Sequence, residues 1–333
     1  MNRVVITGAG TINALGGTVP ETLHAMREGQ LGIGPLQMRD LDRLSVKIGA
    51  QIKNFDPESH FDWQKLALYD RVTQLTLLAA REAMAHSGLE ITEEKSETTG
   101  VVLGTAAGGM NTWDDNFRSV YEEGKNRVHP FVVPKLMTNA AASHVSMAHN
   151  IKGPSLTVST ACASSNHAIG LAFQMDRSGQ ARAMLAGGGD AMLTFGGIKA
   201  WEGLRVMSKT ACRPFSANRS GMVQGEGAGI FVLETYERAK ARGAEILAEL
   251  VGFAMTSDAG DIVMCISSSG SSKNILNAAE QAMKSNHSVI TFSGFNPENP
   301  LKNLGHINFY VPAMSYGFVE VLHNLIIHCI LDA

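Results

Sequence analysis

Cysteine is scarce in this chain. Its four residues, Cys162, Cys212, Cys265 and Cys329, are scattered over 333 positions without a Cys-x-x-Cys pair. That excludes a disulfide framework and a paired-cysteine zinc site, and it suits a reducing cytosol. Charge of one sign is equally scarce. The 28 basic residues face 31 acidic ones, for a formal net charge of −3, so the clustered basic footprint of a nucleic-acid binder is missing. No apolar run approaches the ~20 residues that span a bilayer. Met1 leads directly into an apolar strand, leaving no room for a signal peptide, and the expected location is cytoplasmic. Gly8-Ala9-Gly10 lacks the third glycine and downstream acidic residue of a dinucleotide fingerprint, so no cofactor is implied. What is present is 44% hydrophobic and 18% charged residues, ample for one large or two ordinary domains.

Read in order, residues 3–7 have the pattern of a buried strand closed by Gly8 and Gly10. Residues 20–28 are expected to form a short helix, with Pro20 near its first turn. Over 70–86 the apolar residues Val72, Leu75, Leu78, Ala79 and Ala83 recur at helical spacing, and Gly88 stops them. Residues 100–104 and 183–189 read as apolar strands, 138–149 as a small-residue helix, and 113–134 as irregular. A strand over 222–234, a polar helix over 236–242 and a strand over 248–253 follow. This alternation predicts a layered α/β fold.

The chemistry concentrates in Leu156-Thr157-Val158-Ser159-Thr160-Ala161-Cys162-Ala163-Ser164-Ser165-Asn166-His167-Ala168-Ile169-Gly170. The pattern is a short strand, a tight turn and a helix of small residues. It puts Cys162 at or near a helix N-terminus, where unpaired N–H groups and the helix dipole favour a thiolate. On spacing alone, a lone cysteine among small residues is as readily an inert buried thiol. His144, His149 and His167 lie in alanine-rich helical context and read as structural. His167 is five residues beyond Cys162, and five steps of ~100° carry it well around a helix.

The segment resembles the nucleophile motif of β-ketoacyl synthases, the decarboxylating condensing enzymes of the thiolase superfamily. Val4-Val5-Ile6-Thr7-Gly8-Ala9-Gly10, Ala186-Gly187-Gly188-Gly189-Asp190-Ala191, Arg213-Pro214-Phe215-Ser216 and Gly225-Glu226-Gly227-Ala228-Gly229 resemble further family motifs, in the right order over residues 1–258. The resemblance implies a nucleophile-bearing thiolase-like N-terminal half with Cys162 as the catalytic, acyl-carrying residue. It further implies acyl and malonyl thioesters on acyl carrier protein as partners, a role in fatty-acid or polyketide synthesis, and a homodimer. Residues 113–134 would contribute to the acyl pocket and the dimer surface. The family's second half supplies a His-Gly-Thr motif, a lysine and an Asn-x-Phe-Gly-Phe-Gly-Gly motif, and none of them appears after residue 258. Gly305-His306-Ile307 and Phe292-Ser293-Gly294-Phe295 are superficial echoes. Acylation without full condensation is therefore the expectation.

From about residue 260 the pattern changes. Residues 261–266 read as a strand, Ser267-Ser268-Ser269-Gly270-Ser271-Ser272 as a hydroxyl-rich turn, and 273–284 as a helix. Strands over 288–293 and 307–312 and a closing helix over 316–331 follow. A serine run at a helix N-terminus is either a plain N-cap cluster or a phosphate site. The stretch resembles the C-terminal half of a sugar-isomerase (SIS) domain of the phosphoheptose-isomerase type, a small three-layer fragment with parallel strands. That resemblance implies phosphosugar binding by Ser267, Ser268, Ser269, Ser271 and Ser272. It also implies a weak metal candidate in Glu320 and His328, although His323 and His328 on an otherwise apolar helix read more readily as helix-packing residues. The expected organisation is a fusion of a synthase half (1–258) and a SIS-like fragment (260–333). The alternatives to an acyltransferase are a phosphosugar-binding module and a non-catalytic remnant. His287, His306, His323 and His328 are expected to lie away from Cys162.

Overall fold

A computed structural model describes residues 1–255, 262–285, 287–315, 319–320 and 322–323. The chain divides into two units, Met1–Phe253 and Ala254–Ala333. The first runs β1 (Val4–Asn13), α1 (Val19–Arg27), β2 (Gly34–Pro35), β3 (Ile48–Gly49), α2 (Trp63–Leu68), α3 (Arg71–Ser87), α4 (Glu93–Ser96) and β4 (Thr99–Gly104). It continues with α5 (Met110–Tyr121), α6 (Val132–Leu136), α7 (Ala140–Ala148), β5 (Ser155–Val158), α8 (Ser164–Ser178) and β6 (Ala183–Ala191). It closes with α9 (Phe195–Gly203), β7 (Glu226–Thr235), α10 (Tyr236–Ala241) and β8 (Ala248–Leu250). Short polar side chains start many of the helices: Thr18 accepts from Glu21 N–H, Asp62 from Lys65 N–H and Asp70 from Val72 N–H. Gly88 ends α3 at φ +59°, where a side chain would be strained.

Six strands form one mixed sheet in the order β5-β4-β6-β7-β1-β8. β4 pairs parallel with β5 and β6, while β6–β7, β7–β1 and β1–β8 are antiparallel. Strand alternation then divides the core. Val101, Leu103 and Leu185 face Leu75, Ala79 and Ala83 of α3 and Ala142 and Val145 of α7. Their neighbours Val102, Met184 and Ala186 face Ala168, Ala172 and Phe173 of α8. The sheet is thus covered on both faces, and truncating a wholly buried residue such as Leu75 to alanine costs ~2–5 kcal/mol. The layered α/β reading holds. The reading of 113–134 as irregular is corrected, because α5 and α6 occupy much of it. Met110, Trp113, Phe117 and Tyr121 form a helical stripe that the polar run Asp114-Asp115-Asn116 disguises as loop. Strand β7 begins at Glu226 rather than 222 and β8 ends at Leu250 rather than 253.

The second unit contains β9 (Ile262–Ser267), α11 (Lys273–Lys284), β10 (Ser288–Gly294) and β11 (Ile307–Val311). Its sheet is parallel, in the order β11-β10-β9, which a crossover helix such as α11 permits. Val289 packs with Cys265, Ala279, Ala282 and Leu301. Phe292, of opposite parity on β10, meets the His323 ring edge-on at 5.6 Å. Of the expected closing helix, residues 319–320 and 322–323 are helical, and the remainder, with the seam over 256–261, lies outside the described residues. Among the described residues no helix is long and apolar enough to cross a membrane.

Candidate functional site

Parallel pairing of β4 and β5 brings two loops to one end of the sheet, with Gly104 opposite Val158. Thr105 N–H donates to Val158 C=O at 3.1 Å and ties the loops together. Beyond β5 the chain must reverse into α8 within five residues. It does so with Ala161 at φ +51°, a left-handed conformation that costs an L-residue ~1–2 kcal/mol. Several bonds hold it there. Ala163 N–H donates to Thr160 C=O at 3.2 Å and Ser164 N–H to Ala161 C=O at 3.2 Å. The Ser164 hydroxyl accepts from Thr160 N–H at 2.9 Å and donates to Ala161 C=O at 2.6 Å. Thr160 Oγ1 and His167 Nδ1 are 2.8 Å apart, a hydrogen bond in either imidazole tautomer.

Cys162 rides on this turn. It is exposed, one residue before the cap Ala163 and two before the first helical residue. An inert buried thiol is not what the chain presents. Glycines bring the sheet against the first turn of α8. A Cβ at Gly104 would overlap the Ser164 backbone, and one at Gly188 would overlap the Ser165 hydroxyl. The helix is therefore seated where its positive end lies behind the turn.

His167, expected to lie well around the helix from Cys162, is hydrogen-bonded to Thr160 of the turn. Phase counting assumes both residues are helical, but Cys162 precedes the helix and His167 bonds to the turn itself. His144 and His149 match the structural reading. His144 packs edge-on against Tyr69 at 4.6 Å, and burial pushes the pKa of both histidines down.

A groove is lined in part by Trp113, Phe117 and Tyr121, within the 113–134 stretch expected to contribute to an acyl pocket, while its extension to Ala106, Ala107 and Phe195 was not anticipated. Asp190, at the end of β6, accepts from Thr105 Oγ1 at 2.7 Å and Ala106 N–H at 3.1 Å. The loop so held places Ala106 and Ala107 in the wall of an apolar groove of about 780 Å³, with Met110, Trp113, Phe117 and Phe195. Trp113 and Phe117 pack with centroids 4.4 Å apart. The stripe on α5 was the available signal.

In the second unit the serines bond chiefly to one another. Ser267 Oγ lies 2.9 Å from Ser272 Oγ, Gly270 N–H donates to Ser267 Oγ, and Ser271 N–H donates to Ser269 Oγ. Ser268 Oγ donates to Glu320 Oε1 at 3.3 Å. Glu320 thus stands beside the serine run, while its expected metal partner His328 lies outside the described residues. No group of three or more His, Cys, Asp or Glu able to hold a metal occurs among the described residues. His306 Nδ1 accepts from Val289 N–H at 2.9 Å, and His323 Nε2 lies 3.1 Å from Ser293 C=O.

The family model for the β-ketoacyl synthase N-terminal domain matches residues 1–239. Nodulation protein E of Rhizobium sp. (strain N33) is 44% identical over 261 residues, covering 78% of this chain and 65% of that protein. The 3-oxoacyl-[acyl-carrier-protein] synthase 2 of Staphylococcus aureus (strain COL) is 40% identical over 262 residues, covering 77% and 63%. The chain therefore spans a little less than two thirds of the length of these relatives. A solved β-ketoacyl synthase from Burkholderia phymatum STM815 superposes with a TM-score of 0.71 at 31% identity, over 85% of this chain and 69% of its own.

Proposed function

This chain belongs to the β-ketoacyl synthase family, and we propose that it accepts an acyl group on Cys162 from an acyl carrier protein thioester in fatty-acid or polyketide synthesis. The observation that carries this reading is the exposed Cys162 on a strained strand–turn–helix at the carboxyl end of β5. The thiolate attacks the thioester carbonyl. A tetrahedral oxyanion forms near the Cys162 backbone N–H and collapses by breaking the carrier's C–S bond. The carrier thiolate departs and takes from solvent the proton that Cys162 released there, leaving an acyl–Cys162 thioester. The apolar groove beside Ala106 and Ala107 suits an acyl chain. The names of the relatives support the carrier protein as partner. Within the first unit β5 pairs only with β4, and its Leu156 is 37% exposed. This edge would take β5 of a second copy in a homodimer.

A second reading attaches to the serine turn, where a strand runs into a helix and the hydroxyls of Ser267 and Ser272 converge. We propose that residues 1–258 form the synthase part and 260–333 a SIS-like part. In that part Ser267, Ser268, Ser269, Ser271 and Ser272 would receive a sugar phosphate, although the Glu320 carboxylate beside Ser268 opposes a second anion. Intact mass after incubation with an acyl carrier thioester tests the first reading, and calorimetry with a sugar phosphate tests the second. One acyl adduct, lost in Cys162→Ala, is the expected result. No adduct together with sugar-phosphate heat would overturn the acyltransferase reading.

A further inference from the structure

We propose that His167 is a positioning residue for Cys162, pressed into place by Phe253 and acting through the side chain of Thr160. The inference rests on the reading of Cys162 as the acyl acceptor.

Three observations converge. First, Ala161 is one of the few non-glycine residues at positive φ, and it directly precedes Cys162. A residue in that region persists only where its surroundings hold it there. Second, Thr160, the residue before Ala161, is fixed twice from α8. Its backbone N–H donates to Ser164 Oγ, and its hydroxyl pairs with His167 Nδ1 at 2.8 Å. Ser164 clamps the turn from within, being almost wholly buried, while His167 clamps it at the half-buried surface. Third, the ring of His167 is itself confined. Phe253, three residues beyond β8, meets it edge-on with centroids 6.2 Å apart. Phe253 lies against α8 in the place a side chain at position 170 would fill. Positions 167 and 170 are neighbours on one helical face, so a single aromatic ring covers the notch and braces the imidazole.

The consequence is a short chain of contacts, Phe253 to His167 to Thr160, ending on the peptide that precedes the nucleophile. Without the His167 contact Thr160 keeps its bond to Ser164 but can rotate its side chain. Ala161 can then relax toward negative φ, drawing the thiol away from the amino end of α8. His167 takes no part in proton transfer here. Its Nδ1 works as one end of a hydrogen bond whose other end is a hydroxyl.

The geometry separates two isosteres. Asparagine at 167 places a polar atom close to the imidazole Nδ1 position, whereas glutamine places its amide nearer Nε2. The test is the second-order rate of iodoacetamide alkylation at Cys162, read by peptide mapping and divided by the rate at Cys212 of the same molecule. His167→Ala is expected to lower this ratio about fivefold, the scale of one net hydrogen bond. His167→Gln should lower it similarly, and His167→Asn should restore most of it. The same pattern is expected at the other end, with Thr160→Val low and Thr160→Ser close to wild type. Should His167→Ala fail to fold, the threonine pair carries the test unaided. An unchanged ratio in His167→Ala or Thr160→Val would overturn the proposal, as would His167→Asn falling as low as His167→Ala. If wild-type Cys162 reacts no faster than Cys212 while the variant pattern holds, the acyl-acceptor reading fails and the positioning role stands.

Discussion

The ring of Phe253 occupies the space that Gly170 leaves open on α8. In most exposed helices Gly→Ala gains ~1 kcal/mol through propensity. Here the new methyl would overlap the ring, and overpacking costs ~1–3 kcal/mol. Gly170→Ala is therefore expected to destabilise the protein in denaturant unfolding, and the sign should reverse in a Phe253→Ala background. A stabilising Gly170→Ala in the native background would show that the ring is not held there.

A second prediction concerns Asp176, on the same helix. It is wholly buried, and neither carboxylate oxygen has a hydrogen-bond partner in the structure. Burial pushes its pKa up to about 8, with Arg238 opposing the rise and Glu234 adding to it. The folded protein thus holds a proton that the unfolded chain releases near pH ~4. Folding binds more protons across that interval, so stability falls as pH rises toward 8. His144 and His149, lowered by burial, act the other way. Their contribution is complete once pH exceeds the ordinary histidine value of ~6.5. Between pH 7 and 8.5 the Asp176 effect should dominate these two. The urea midpoint is expected to fall over that window in the wild type and to fall less in Asp176→Asn. Equal slopes would remove Asp176 as the cause.

The thiols give a third prediction. Cys162 and Cys212 are both exposed, whereas Cys265 is buried and burial pushes its thiol pKa up. Exposure alone would make the first two equal. The amino end of α8 behind Cys162 should separate them. Limiting iodoacetamide is expected to label Cys162 first, Cys212 next and Cys265 last. Labelling of Cys212 ahead of Cys162 would count against an activated nucleophile.

Much of this was legible in the sequence, for a physical reason. The helix over 71–87 announces itself because its buried stripe is continuous, with Asp70 and Gly88 as local start and stop signals. The parallel strands β4 and β6 are apolar on both faces because helices cover both. The turn at Cys162 was locatable because small residues are what a close sheet–helix approach requires at Gly104 and Gly188. Helix α5 was not legible, since Trp113, Phe117 and Tyr121 line a groove rather than a core and are interleaved with charge. The His167 contact was hidden for another reason. It depends on Thr160 lying in the turn before the helix, and element boundaries of that size follow from cap geometry rather than from periodicity.

The last prediction is about chemistry. Acylation of Cys162 needs a nucleophile and an oxyanion donor, both local to the turn. Condensation also needs help for the enolate that forms when the malonyl group loses carbon dioxide, and one such donor is worth ~10²–10³ in rate. Of the three histidines described in the second unit, His306 and His323 already have bonds of their own, to Val289 and Ser293. Neither lies in a family His-Gly-Thr or Asn-x-Phe-Gly-Phe-Gly-Gly motif. We therefore expect measurable acyl–Cys162 but negligible 3-oxoacyl product from an acyl primer and malonyl carrier. His306→Ala and His323→Ala should leave the acylation rate unchanged within about twofold. A robust 3-oxoacyl product that vanishes in Cys162→Ala, and that falls in either histidine variant, would mean that this chain has rebuilt the decarboxylating half of the site from residues of its own second unit.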